Sequence, residues 1–194
     1  MRITKQQENS SARILDAALQ LFSQYGYEGT STREICELAG ITKPTLYYFF
    51  ESKEGVYRAL VEKAFQEYAS IVESALSAGT LREKLRRLAQ QMFERTSDNP
   101  QLGRFLFSIV YSINSPFVQQ VQSSHQNLID RVQQAVSAAV KTGEISPGDF
   151  EVRATVLNGA LVEALSNHLI TGTPKLTRKF AHSIIDTVLD GWGK

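Results

Sequence analysis

Residues 30–53 read TSTREICELAGITKPTLYYFFESK, and this stretch decides the fold. It opens with hydroxyl side chains that suit a helix N-terminus. Ile35, Leu38 and Ala39 then follow at helical spacing and are expected to form the buried face. Gly40 comes next, where a helix can end in a left-handed residue. The first half of the stretch therefore predicts one short helix with a defined stop.

A second short helix is predicted directly after that stop. Thr42 is expected to be its N-cap, and Pro44 lies in its first turn, where the N–H that proline lacks would have no partner. Leu46, together with Phe49 or Phe50, supplies the inward face. Two short helices joined by a glycine-containing turn form a helix-turn-helix.

The side chains that this second helix would leave exposed suit a polyanion. Lys43, Thr45, Tyr47 and Tyr48 place a cation, a hydroxyl and two phenol rings within about two helical turns. Lys43 and Thr45 can reach base edges in a major groove, whereas Tyr48 and Lys53 can bond flanking phosphates. Lys53 also opens the next helix, where free backbone N–H groups favour anions. The pattern therefore predicts a surface that contacts duplex DNA.

The run from Gly40 to Glu54 resembles the signature of the TetR family of bacterial transcriptional regulators. The resemblance covers about residues 10–58. It implies a three-helix DNA-binding domain, an all-helical domain that binds a small effector, and a homodimer formed mainly by the last two helices.

The resemblance also implies roles for individual residues. Arg33 can fork onto guanine or phosphate, whereas Lys43 is a single point donor. Many family members have histidine where this chain has Phe49, so that phosphate contact is not expected here and Phe49 is expected in the core. By the resemblance, Arg33, Lys43, Pro44, Thr45 and Tyr47 face the groove, and Thr32, Tyr48 and Lys53 face phosphates.

Charge limits the kind of nucleic-acid binding. The chain of 194 residues has a formal net charge of +1. Within residues 1–58, seven basic residues are matched by seven acidic ones, so a positive face must come from placement rather than excess. This argues against general coating of nucleic acid, which depends on many phosphate contacts, and fits a small, specific footprint.

The sequence also predicts the compartment. Cys36 is the single cysteine, so no internal disulfide can form, and it is expected to be buried. Residues 1–11 carry charge but no apolar run, and no stretch approaches the roughly 18 apolar residues of a membrane span. We therefore expect a cytoplasmic protein without membrane contact.

No catalytic constellation is present in the sequence. His125, His168 and His182 each lack a second histidine or cysteine at helical spacing, so we expect surface or capping roles for them. There is no glycine-rich phosphate loop and no nucleophile elbow. We expect no metal, no cofactor and no enzymatic activity.

The spacing of apolar residues along the chain predicts an all-α fold of about nine helices. We expect a helix-turn-helix domain in residues 1–51 and an effector-binding and dimerisation domain in residues 52–194. The first helix is expected to start at Ser10 or Ser11, after a frayed tail from which Arg2 and Lys5 can touch the DNA backbone. The other helices are expected at about residues 52–77, 81–97, 101–113, 117–141, 149–170 and 175–190.

The last two helices differ in character from the others. The helix at about 149–170 is apolar around much of its circumference and rich in small residues, which predicts burial on more than one side. With the helix at about 175–190 and their two mates, it would form a four-helix interface in a homodimer. The alternative is that the two helices close a monomeric bundle.

The resemblance implies an effector pocket between the long helix at about 52–77 and the helices that follow it. The candidates combine large apolar side chains with a few polar anchors, a mixture that fits a small, moderately hydrophobic molecule. The same residues at helical spacing also suit a plain core. They are Phe65, Tyr68, Met92, Phe93, Phe105, Tyr111 and Phe117, with His125, Asn158 and Glu163 as anchors.

Three classes of function are compatible with these patterns. The first is a dimeric repressor of a palindromic operator, released when the effector moves its recognition helices out of match with major grooves about 34 Å apart. The second is a ligand-sensing helical bundle that no longer binds DNA, which the neutral charge and Phe49 favour. The third is a small helical enzyme, which the absent constellation disfavours.

Overall fold

The computed structural model describes residues 5–111 and 117–192. Within those ranges the chain forms nine α-helices and no β-strand, which confirms the expected all-α fold. The helices are α1 (Lys5–Tyr25), α2 (Thr32–Ala39), α3 (Lys43–Phe50), α4 (Lys53–Leu76), α5 (Leu81–Asp98), α6 (Pro100–Val110), α7 (Val118–Lys141), α8 (Phe150–Thr171) and α9 (Arg178–Asp190).

The first helix begins earlier than its apolar pattern indicates. It starts at Lys5 rather than at Ser10 or Ser11, so the prediction of a frayed tail is wrong for residues 5–9. Lysine, glutamine and glutamate have good helix propensity, which a search for apolar periodicity does not register. Arg2, the other residue expected to touch the DNA backbone, lies outside the described residues.

Both ends of α2 are held by specific bonds. The Ser31 hydroxyl accepts a bond from the Glu34 N–H at 3.2 Å, and the Glu34 carboxylate accepts one from the Ser31 N–H at 2.8 Å. Gly40 ends the helix at a φ of 61°, the left-handed conformation expected from the sequence. The Arg13 guanidinium of α1 donates to the carbonyl oxygens of Ala39 and Gly40, which fixes this end of α2 against α1.

The buried face of α2 is rotated from the expected one. Ile35, Cys36 and Ala39 are buried, whereas Leu38 is 48% exposed, so its placement in the core was wrong. In a helix of eight residues, apolar spacing allows more than one face, and the small Cys36 side chain fits the close approach of α1.

The third helix is anchored by one fully buried leucine. Leu46 is 0% exposed and packs α3 against its neighbours α1, α2 and α4. Thr42 occupies the N-cap position as expected, but its hydroxyl makes no cap bond and pairs with the Thr45 hydroxyl at 2.9 Å. Pro44 follows two positions later and has no N–H to offer, which removes one of the two donors such a cap normally uses.

The start of α4 is tied to the turn between α1 and α2. The Ser52 hydroxyl caps α4 by accepting a bond from the Gly55 N–H at 3.0 Å. The Lys53 ammonium donates to the carbonyl oxygens of Tyr27 at 2.9 Å and Thr30 at 3.0 Å. It also lies 4.2 Å from the centroid of the Tyr27 ring. The position of the first three helices is therefore fixed relative to α4.

Four aromatic rings connect the first three helices to the rest of the protein, and we call them the aromatic junction. Tyr57 of α4 packs on Tyr27 with ring centroids 4.9 Å apart. The same ring contacts Phe105 of α6 at 5.5 Å and Phe117, just before α7, at 4.5 Å. Edge-to-face and stacked pairs at these distances add stabilisation beyond the area that they bury. The core is therefore continuous from the helix-turn-helix into the larger bundle.

The larger bundle joins α5 to α9 through ion pairs. Asp186 accepts bonds from Arg82 at 2.8 Å and from two nitrogens of Arg86 at 2.8 and 2.5 Å. Asp190 accepts one bond from Arg82 at 2.6 Å. These bonds hold the pKa of Asp186 below its ordinary value, with Arg86 as the main cause and Arg82 second.

Two helix ends in the bundle differ from the expected ones. α6 ends at Val110 with Tyr111 as its C-cap, short of the expected residue 113, which lies outside the described residues. α9 begins at Arg178 because the Thr177 hydroxyl accepts a cap bond from the Phe180 N–H at 3.2 Å. The domain boundary between residues 51 and 52 stays a prediction.

Replacing Lys53 by methionine is expected to lower the free energy of unfolding by about 2 kcal/mol, because two charge-assisted hydrogen bonds to the backbone are lost. Urea unfolding followed by circular dichroism measures the change. Lys63→Met, on the exposed side of α4, is the matched control and should change the free energy by less than about 0.5 kcal/mol. Equal effects of the two variants would contradict the tie between Lys53 and the turn.

Asp186→Asn is expected to lower the free energy of unfolding at pH 7 by about 1 kcal/mol. Because the folded-state pKa of Asp186 is depressed, its contribution is fully present above the ordinary carboxyl pKa of about 3.9 and is lost as the pH falls through the lower folded value. The difference between wild type and variant should therefore hold from pH 7 to about pH 4 and shrink below it. Asp190→Asn, which removes one bond rather than three, should cost less; a larger cost would contradict the geometry.

Candidate nucleic-acid interface and effector cavity

The outward side of α3 carries the side chains that the sequence indicated. Lys43 and Pro44 are exposed, Tyr47 is 45% exposed and Tyr48 is 63% exposed. Thr45 is half-buried beside Thr42 and offers its hydroxyl at the edge of this side. We call the outward side of α3, from Lys43 to Tyr48, the recognition face.

Phe49 lies at the border between the recognition face and the core. It is half-buried, packs against the core and meets the Tyr48 ring edge-on at 5.1 Å. It can supply no hydrogen bond to a phosphate, as expected. Its ring instead packs against the Tyr48 ring.

Thr32 and Arg33 on α2, which are expected to contact DNA, are less available to it than the sequence indicated. Thr32 is the first residue of α2 and is half-buried. The Arg33 guanidinium pairs with the Glu37 carboxylate at 2.9 Å, one turn along the same exposed surface. Exposed pairs at this spacing are weak, so a nucleic-acid phosphate can compete with Glu37 for Arg33.

Lys53 differs most from its expected role. Two of its three N–H donors are used within the protein, on the Tyr27 and Thr30 carbonyl oxygens. Sequence reasoning identified the first turn of α4 as an anion site but could not see that the preceding turn brings two carbonyls to the same ammonium. Lys53 therefore positions the recognition face, and its contact with a phosphate stays a prediction.

The positive charge of this region is narrow. Arg13 is bonded to backbone carbonyls, and Arg58 pairs with Glu54 at 2.5 Å. Among the side chains described in residues 9–60, Lys43 is the cation with neither an ion pair nor a hydrogen bond to the protein. The free positive charge thus lies at the N-terminal end of the recognition face.

A two-lobed cavity lies among α4, α5, α6, α7 and α8. Its first lobe has a volume of about 110 Å³ and its second about 250 Å³. Six of the ten expected effector residues line the first lobe: Phe65, Tyr68, Met92, Tyr111, His125 and Asn158. We call the two lobes together the effector cavity.

The other four expected residues line neither lobe. Phe93 and Phe105 are both 0% exposed in the core, and Phe93 faces Phe180 of α9. Phe117 belongs to the aromatic junction. Glu163 is exposed on α8 and accepts a bond from Asn167 at 2.7 Å. Met92 and Phe93 show the reason, since adjacent residues on a helix point about 100° apart.

Sequence reasoning missed most of the wall that α6 and α8 provide. A signal was present, because each helix has a second apolar stripe beside the one that faces the core. The stripes advance by three or four residues, as one face of a helix requires. They comprise Gly103, Leu106, Phe107 and Val110 on α6, and Val162, Leu165 and Leu169 after Asn158 on α8; Thr96 of α5 completes the first lobe.

Burial favours the neutral forms of two ionisable side chains that line the cavity. Burial raises the pKa of the Tyr68 hydroxyl, and the nearby Tyr111 adds to the shift. Burial also lowers the pKa of His125. No lysine, arginine, aspartate or glutamate lines either lobe in the described structure.

One uncovered face of α8 carries three exposed apolar side chains, with Glu163 between Gly159 and Ile170 on the same face. Val152 is 60% exposed, Val156 is 49% exposed and Ile170 is 78% exposed. A Cβ placed on Gly159, on the same face, would meet no atom within 4 Å. Glycine inside a helix costs about 1 kcal/mol relative to alanine, and nothing within this chain requires it there.

Neither clustered metal ligands nor a membrane-spanning helix occurs in the described ranges. No group of three histidine, cysteine, aspartate or glutamate residues there is placed to hold a metal ion. No helix there combines the length and apolar character needed to cross a membrane.

The family described as "Bacterial regulatory proteins, tetR family" matches residues 14–60, which run from α1 into α4. The chain is 30% identical over 137 residues to the HTH-type transcriptional regulator RutR of Escherichia coli K12, covering 70% of this chain and 64% of RutR. The matched segment thus spans less than two thirds of that relative's length.

Solved structures agree with the fold over nearly the whole chain. A TetR-like transcriptional regulator from Rhodococcus sp. RHA1 superposes with a TM-score of 0.78 at 26% identity, covering 97% of this chain and 96% of that one. FadR from Bacillus subtilis, in complex with stearoyl-CoA, superposes with a TM-score of 0.81 at 20% identity, covering 93% and 98%. The family consists of transcriptional regulators rather than enzymes. Residues 14–60 thus carry the helix-turn-helix segment of the TetR family of bacterial transcriptional regulators, and the chain as a whole has the fold of solved TetR-like regulators.

Proposed function

We propose that this protein is a homodimeric repressor that binds a palindromic operator and is released by a small, moderately hydrophobic effector in the cytoplasm. The observation that carries the proposal is the recognition face. It presents Lys43, Tyr47 and Tyr48 on the outer side of a short helix whose inner side is fixed by Leu46.

Each residue of the recognition face has a chemical role in reading duplex DNA. Lys43 donates to guanine or to the backbone, and Pro44 and Thr45 pack against a thymine methyl group. Tyr47 reaches base edges, and Tyr48 bonds a phosphate. Arg33, Thr32 and Lys53 add phosphate contacts at the margin, Arg33 after exchanging Glu37 for the DNA backbone.

The aromatic junction offers a route from the cavity to the recognition face. α4 and α6 each contribute residues to the cavity and to the aromatic junction. Phe65 and Leu106 line the cavity, and Tyr57 and Phe105 belong to the junction. A ligand that moves α4 or α6 therefore shifts the rings packed on Tyr27, and Tyr27 also accepts the Lys53 bond. The effector acts by favouring dimers whose two recognition faces no longer match successive major grooves.

The uncovered face of α8 supports the dimer. A second copy of α8, packed across a two-fold axis, would cover Val152 and Val156 and approach closely at Gly159. α9 would flank it and complete the four-helix interface expected from the sequence.

The absence of charged side chains in the described cavity lining limits the charge that an effector can carry there. The FadR complex holds stearoyl-CoA, whose acyl chain is apolar and whose headgroup is anionic. Since no charged side chain lines either lobe described here, the enclosed part of an effector of this protein is uncharged.

The second candidate is a ligand-sensing bundle without DNA binding, which the narrow positive charge favours. Salt dependence separates the two, because phosphate contacts make affinity fall steeply with salt. A steep fall in operator affinity between low and physiological salt supports the repressor, whereas a flat or absent response supports the bundle.

Lys43→Ala and Tyr47→Ala are each expected to weaken binding to a duplex selected by the wild-type protein by about 1–3 kcal/mol, because each removes a groove contact. Fluorescence anisotropy with the labelled duplex measures the change. Lys63→Ala and Tyr25→Ala, exposed positions on α4 and α1, are the matched controls and should keep wild-type affinity. Unchanged affinity in both recognition-face variants would refute the assignment.

Val156→Glu is expected to shift the protein from dimer to monomer at micromolar concentration, since it buries a carboxylate in an apolar interface. Sedimentation velocity measures the distribution. Leu38→Glu is the matched control, at 48% exposure on α2 against 49% for Val156, and should stay dimeric. A wild-type protein that sediments only as a monomer would remove the dimer from the proposal.

A further inference from the structure

The polar groups of the effector cavity are concentrated at its middle. Four side chains line both lobes: Tyr68, Met92, His125 and Asn158. We call them the waist. Three of the four carry hydrogen-bonding groups, and Met92 is a flexible side chain that can move to let one ligand occupy both lobes.

Away from the waist, both lobes are mainly apolar. The first ends among Leu106, Val110 and Leu165, and the second among Leu88 and Val132. Other hydroxyls come only from Thr96, Tyr111 and Thr155 in the described lining. Each lobe exceeds the volume of about 30 Å³ that one water occupies in the liquid, so each can accept several carbon atoms.

The polar groups of the waist have no hydrogen-bond partner among the described residues. No hydrogen bond there joins the Tyr68 hydroxyl, the His125 ring or the Asn158 amide to another protein group. Tyr68 and His125 are half-buried and Asn158 is exposed, so all three groups are open to a ligand that enters the cavity. Together they offer both donors and acceptors.

The waist carries no fixed charge. Burial favours the neutral forms of Tyr68 and His125, as their shifted pKa values indicate. A carboxylate or ammonium group on the ligand would therefore lose its hydration without gaining an ion pair, which costs several kcal/mol. A neutral carbonyl or hydroxyl loses less and regains a hydrogen bond.

We propose that the effector is an uncharged molecule with its one polar group, a carbonyl or hydroxyl, near its middle, bonded by the waist, and with an apolar arm in each lobe. The inference rests on the proposed function only in naming this ligand the effector. Its test measures binding to the full chain without DNA.

Three probes of equal chain length separate the possibilities: 6-undecanone, 2-undecanone and undecanoate at pH 8. The affinity of each follows from the rise in unfolding midpoint across a ligand titration. We expect 6-undecanone to bind about tenfold more tightly than 2-undecanone, the value of one additional hydrogen bond, and undecanoate to bind most weakly. Equal affinity of the two ketones, tighter binding of undecanoate, or binding of none of the three would overturn the proposal.

Two variants test the waist itself. Tyr68→Phe and Asn158→Leu should each reduce the preference for 6-undecanone over 2-undecanone, while Tyr25→Phe and Asn127→Leu, outside the cavity, should keep it. A preference that survives in both waist variants would overturn the assignment. If a variant does not fold, the comparison of the three probes on the wild-type protein still decides.

The two proposals fail separately. If the probes behave contrary to expectation but Lys43→Ala still loses operator affinity, the class of ligand is wrong and the regulator stands. If the probes behave as expected but no duplex is bound, the cavity stands and the ligand is not an effector of DNA binding.

Discussion

α3 has eight residues, and a helix of that length has no stability of its own in water. It exists because Leu46 is buried among α1, α2 and α4, and that burial fixes which side of the helix faces outward. Everything proposed about DNA depends on this constraint. Tyr48 lies on the side opposite Leu46, and Tyr47 and Lys43 flank that side and also face the solvent. The Lys53 tie keeps the whole helix-turn-helix in place on α4.

The same packing joins the recognition face to the cavity. Tyr57 touches the turn after α1, α6 and the segment before α7 through one set of ring contacts. Close-packed rings transmit small displacements because the core has no free volume to absorb them. A neutral ligand in the cavity is thus connected to the DNA-contacting helices by α4 and α6, and no charged group along the cavity wall has to move.

The sequence predicted what depends on local chemistry. Gly40 as the stop of α2, Thr42 at the N-cap position of α3 and the outward side of α3 could all be read from residue types at helical spacing. Features that depend on tertiary contacts could not be predicted. Lys53 bonds two carbonyls from a distant turn, and Leu38 is exposed whereas Cys36 is buried. Met92 and Phe93 differ in role because α5 presents them to different neighbours. The second apolar stripes of α6 and α8 were readable but resembled ordinary core.

In the proposed dimer, two copies of α3 read one duplex in adjacent major grooves. Selection of bound fragments from random duplex DNA by the purified protein, followed by sequencing, measures whether they do. We expect enrichment of an inverted repeat whose half-sites lie about one helical turn, or 34 Å, apart or a multiple of it. Enrichment of a single unrepeated site, or no enrichment over the starting pool, would contradict it.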